Sequence, residues 1–111
     1  MKYTDGKNIM VCVQSADGAA IGAALETVSK AAELAKAAGE EVLAVVFGKD
    51  TDTKPVIAAG AAKVLTAGSN ELQAAEKAEI LTKLVEKYQP KALYMAGTPE
   101  GKMIAPAVAA A

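Results

Sequence analysis

Two stretches of this chain, Ile9–Val13 (IMVCV) and Val42–Phe47 (VLAVVF), are apolar at every position. A strand with one wet face alternates apolar and polar residues. A strand that is apolar throughout must be covered on both faces, which is the condition of a central strand in a parallel sheet. Two other runs, Val64–Ala67 and Ala92–Ala96, read as further strands.

The segments between these runs carry helical periodicity. Ile21, Leu25, Val28, Ala32 and Ala35 recur at steps of four and three and predict one apolar helix face, with Glu26, Lys30, Glu33 and Lys36 largely outside it and Gly39 as the stop. A short second helix is expected from about Thr53 to Ala59, with Pro55 in its first turn and Gly60 at its end. A third is expected from a cap at Ser69 or Asn70 to about Tyr88, with Ile80, Leu81, Leu84, Val85 and Tyr88 as its buried stripe. Gln89-Pro90 breaks it before the fourth strand.

The resulting order is βαβαβαβ, with the start of another helix after it. Right-handed crossovers turn that order into an α/β fold, a three-layer α/β/α sandwich on a parallel sheet. The expected strand order is 3-2-1-4. No linker or internal repeat divides the 111 residues.

Composition removes several function classes. The formal net charge is −1 with no basic block, which argues against a nucleic-acid groove. There is no histidine and no arginine, so the usual general base, the commonest metal ligand and the bidentate anion fork are all missing. The single cysteine, Cys12, lies inside the first apolar run and reads as a structural buried thiol. No apolar run approaches the ~20 residues of a membrane span, so no membrane insertion is expected.

In an open parallel sheet, ligands bind beyond the carboxyl ends of the strands, where strand order reverses. That point falls here between the first and fourth strands. It brings two small polar loops together, one holding Ser15, Asp17 and Gly18, the other Gly97, Thr98, Gly101 and Lys102. Their backbone N–H groups suit an anion or a partner's carboxylate. Each also has a plain structural reading. Asp17-Gly18 is a turn and helix cap, Thr98-Pro99-Glu100 is a helix start, and Lys102 is a solvated lysine. Asp50, Asp52 and Glu71 read as turn or capping residues. Pro106 would sit inside a helix begun at Pro99 and bend it. Neither GxxxxGK[ST] nor GxGxxG is present, and Ser15 has no histidine to activate it.

The stretch after the fourth strand resembles a known family, the N-terminal domain of the electron transfer flavoprotein alpha subunit. Gly97-Thr98, then Gly101-Lys102, Ile104, Pro106, Val108, Ala109 and Ala110 are similar to that family's small-residue turn, Gly-Lys or Gly-Arg step and Leu-x-Pro-x-Val-Ala helix. Ala24-Leu25-Glu26, Gly48 and Gly60-Ala61-Ala62-Lys63-Val64 resemble its upstream motifs. Ala62, Met103 and Gln14 depart from the family's usual polar residues at those places.

The resemblance implies an adenine nucleotide hydrolase-like, Rossmann-like fold. It also implies that residues 1–111 are a partial N-terminal domain, a fragment or a truncated relative, without the C-terminal domain that mainly holds FAD. For the whole protein it implies a bacterial cytoplasmic heterodimer with a beta subunit. That heterodimer is an electron carrier rather than an enzyme, taking electrons from flavin dehydrogenases such as acyl-CoA dehydrogenase. No cofactor is expected on this chain alone. The rival reading is a stand-alone AMP- or ATP-binding module similar to universal stress proteins, with the nucleotide between the two loops.

A fragment of this kind would leave the sheet edge beside the fourth strand open, and an open edge is prone to association. The isolated 111-residue chain is therefore expected to sediment as oligomers or aggregates. A clean 11.2 kDa monomer would count against truncation.

Overall fold

The computed structural model describes residues 7–16, 18–48, 51–67 and 73–96. Its elements are β1 (Ile9–Val13), β2 (Ser15–Ala16), β3 (Ala19–Ala20), α1 (Gly22–Ala37), β4 (Val42–Phe47), α2 (Lys54–Ala58), β5 (Lys63–Ala67), α3 (Ala74–Tyr88) and β6 (Ala92–Met95). The four long strands form one parallel sheet in the order β5-β4-β1-β6. Counting only those strands, this is the expected 3-2-1-4. The additional pair β2–β3 is a small antiparallel hairpin that the sequence reading placed in a loop.

The apolar runs sit where two-sided burial requires. All five residues of β1 are buried, and so are five of the six in β4. Successive β1 residues serve opposite faces. Ile9, Val11 and Val13 pack with Ala24, Val28, Ala31 and Ala35 of α1 and Val56 of α2. Met10 and Cys12 join Val45 and Phe47 under Ala78, Leu81 and Val85 of α3. Each large side chain fully buried in these layers contributes ~1.5–3 kcal/mol. The edge strands β5 and β6 are only partly covered.

The helix faces differ in detail from the periodicity reading. The centre of the α1 stripe is Ala24, Val28, Ala31 and Ala35, while Ile21, Leu25 and Ala32 pack at its margin. Methyl side chains let the helix approach the sheet closely, so the alanines take the centre. The α1 terminus follows expectation. Gly39 N–H bonds the Lys36 carbonyl at 3.2 Å and Glu40 N–H the Ala35 carbonyl at 2.7 Å, the paired bonds of a Schellman end.

α3 starts at Ala74 with Gln73 as its cap, and the Gln73 N–H donates to Glu76 Oε1 at 3.3 Å. The expected caps Ser69 and Asn70 lie outside the described residues. Sequence reasoning passed over this Gln-x-x-Glu box in favour of better-known cap residues. Tyr88, expected in the buried stripe, is 39% exposed at the helix end.

The amino ends of β1, β4 and β6 are held together by Asn8, which adopts φ 72°, a conformation asparagine tolerates well. Its side-chain Oδ1 accepts Glu41 N–H at 3.0 Å, and its carbonyl accepts Lys91 N–H at 3.0 Å. Its own N–H donates to Glu40 Oε2. The Glu40 carboxylate also takes Lys91 Nζ at 2.7 Å. The bond from Lys91, with that from the Asn8 backbone, holds the Glu40 carboxyl below the ordinary glutamate range. Gly60, at φ +124°, closes the turn between α2 and β5. A Cβ built there would lie 2.5 Å from the Ala32 Cβ.

Two consequences are testable. Gly60→Ala should lower stability by roughly 2–4 kcal/mol, from backbone strain plus overpacking. Equal urea midpoints for variant and wild type would refute that close approach. Because folding depresses the Glu40 pKa, its contribution is complete above the ordinary glutamate value and is lost as pH falls through the folded value. Glu40→Gln should therefore unfold earlier than wild type at neutral pH. The gap between their urea midpoints should close on acidification, and a gap independent of pH would rule the clasp out.

Candidate functional site

The sheet reverses its direction of growth at β1. From β1 the chain moves by way of α1 to β4 on one side, and from β5 by way of α3 to β6 on the other. The two crossover helices lie on opposite faces, since α1 and α3 pack against separate core clusters. The carboxyl ends of β1 and β6 thus form the switch point at which such sheets take ligands.

Of the seven residues expected at this rim, the structure describes Ser15 and Gly18. Asp17, Gly97, Thr98, Gly101 and Lys102 lie outside the described residues, as do Pro106, Asp50 and Glu71. The structure therefore does not test the meeting of the two loops.

Ser15 and Gly18 belong to the β2–β3 hairpin. Gly18 occupies its turn at φ 79°, where glycine carries no Cβ penalty. The hairpin is closed by Ile21 N–H donating to the Gln14 carbonyl at 3.0 Å. Ser15 is buried, and its hydroxyl donates to the Phe47 carbonyl at the end of β4, at 3.1 Å. The Thr51 hydroxyl donates in turn to Ser15 Oγ at 3.4 Å. Asp52 N–H donates to the Gly18 carbonyl at 3.0 Å, next to the bridge between Ala19 and Asp52. Asp52 Oδ1 accepts Lys54 N–H at 3.1 Å, the turn role expected of it. The described part of the rim is therefore a lattice in which the hairpin after β1 is tied to the segment after β4.

The buried polar side chains among the described residues are Gln14, Ser15, Thr51 and Lys77. All four gather at the carboxyl end of the sheet. Gln14 and Ser15 follow β1, Thr51 follows β4, and Lys77 in the first turns of α3 places Nζ 5.4 Å from the centroid of the Phe47 ring. Sequence reasoning missed Thr51 and Lys77. A signal for Lys77 existed: it stands four residues before Leu81 and eight before Val85, on the stripe that α3 buries.

Chemically, this arrangement fixes backbone rather than activating a group. The Ser15 proton is committed to a carbonyl oxygen, and no histidine exists in the chain to withdraw it. Cys12 is buried within β1. Among the described residues no cluster of three or more metal-ligating side chains occurs, and no helix is long and apolar enough to cross a membrane. A cleft lined by Lys7, Asn8, Glu41, Lys63, Tyr88 and Pro90 lies at the opposite, amino end of the strands. It encloses about 70 Å³, against roughly 300–1,000 Å³ for a small-molecule pocket.

Ser15→Ala removes the donor to the Phe47 carbonyl and leaves the Thr51 hydroxyl without its acceptor. A loss of ~1–3 kcal/mol in unfolding free energy is expected. Amide exchange at Thr51 and Asp52 should quicken as well. Unchanged stability and exchange would mean that Ser15 does not tie the rim.

The family model of the electron transfer flavoprotein domain matches residues 9–111. The electron transfer flavoprotein subunit alpha of Clostridium acetobutylicum is 33% identical over 116 aligned residues, covering 99% of this chain and 34% of that protein. The chain thus spans about a third of the length of the curated relative it matches.

Proposed function

The chain belongs to the electron transfer flavoprotein domain family, and on that premise we propose that it is the N-terminal scaffold and subunit-interface segment of an alpha subunit. In this reading residues 1–111 are part of an N-terminal α/β domain. FAD is held mainly by polypeptide outside them. The partner is a beta subunit, with which the alpha subunit forms a heterodimer. That heterodimer carries electrons from flavin dehydrogenases, such as those acting on acyl-CoA, in the cytoplasm of a bacterium. The segment acts as an electron-carrier part and not as an enzyme.

The observation that carries the proposal is a pairing of extent with chemistry. The likeness to an alpha subunit runs through nearly the whole chain yet takes in only a third of that relative. Within the described residues, the hydroxyls at the switch point are spent on bonds between the chain's own loops. A rim wired in this way supplies shape and leaves redox chemistry to another part of the protein. The alternating crossovers and buried central strands support the same role, because they give a rigid base on which larger pieces can rest.

The test compares two preparations. A full-length protein carrying this segment, co-expressed with its beta subunit, should purify as a heterodimer with flavin absorbance. The isolated 111-residue chain should bind neither FAD nor adenine nucleotide in calorimetry. Stoichiometric FAD on the isolated chain would overturn the scaffold assignment. Micromolar AMP or ATP binding would favour the stand-alone nucleotide module instead.

A further inference from the structure

We draw no further inference here: the strongest candidate, the exposed apolar side chains of Leu34 on α1 and Tyr94 on the outer strand β6 on one face of the sheet, is a surface for which nothing in the structure shows what covers it.

Discussion

Two-sided burial of β1 and β4 is the constraint from which the other features follow. A strand with no polar residue on either face needs a layer above and a layer below, and one chain can supply both only if its crossovers lie on opposite sides of the sheet. Here α1 and α2 cover one face and α3 the other. Growth in two directions from β1 follows from that division, and so does the switch point at the carboxyl ends of β1 and β6. The position of the candidate site is thus a consequence of how the apolar residues are hidden.

The two ends of the sheet are finished differently. At the amino ends, charged and amide groups exposed to solvent hold the strands in line, with Asn8 and Glu40 at the centre. At the carboxyl ends, the Ser15 and Thr51 hydroxyls are buried, Ser15 bonding to backbone and Thr51 to Ser15. Burying a hydroxyl is costly unless it finds a partner, and it then confers more positional order than an exposed one.

Much of this architecture was legible in the sequence, because the signals were long and redundant. Four apolar runs, three periodic segments and the breakers Gly39, Gly60 and Gln89-Pro90 all pointed to the same alternation. What escaped was short or depended on distant contacts. β2 and β3 have two residues each and carry no periodicity, and they gain order from pairing with each other and from the bridge to Asp52. The centre of the α1 face fell on alanines because closeness of approach, which hydropathy ignores, decides which residues touch a sheet. Lys77 was left out of the expected stripe, although its spacing from Leu81 and Val85 places it there. At the candidate site, Ser15 and Gly18 lie in the hairpin after β1, where Ser15 ties that hairpin to the end of β4. Local sequence cannot reveal that role when the acceptor, the carbonyl of Phe47, lies 32 residues away.

The absence of histidine and arginine acquires meaning beside that rim. A site that performs proton transfer at neutral pH needs a side chain whose proton can be redirected. This chain has lysines, carboxylates and hydroxyls, and the hydroxyls described at the switch point are bonded within the fold. A platform has the opposite requirement. Its surface must keep its shape while a mobile part moves over it, so groups already satisfied by their own backbone are preferable to groups that await a ligand. Small side chains serve the same end, since alanine loses no rotamer freedom on burial and lets helices lie close to the sheet. The sequence is rich in alanine where α1 meets the sheet, and its described rim is closed by bonds to carbonyls. Both choices trade chemical versatility for constancy of form, which is what the proposed scaffold would require.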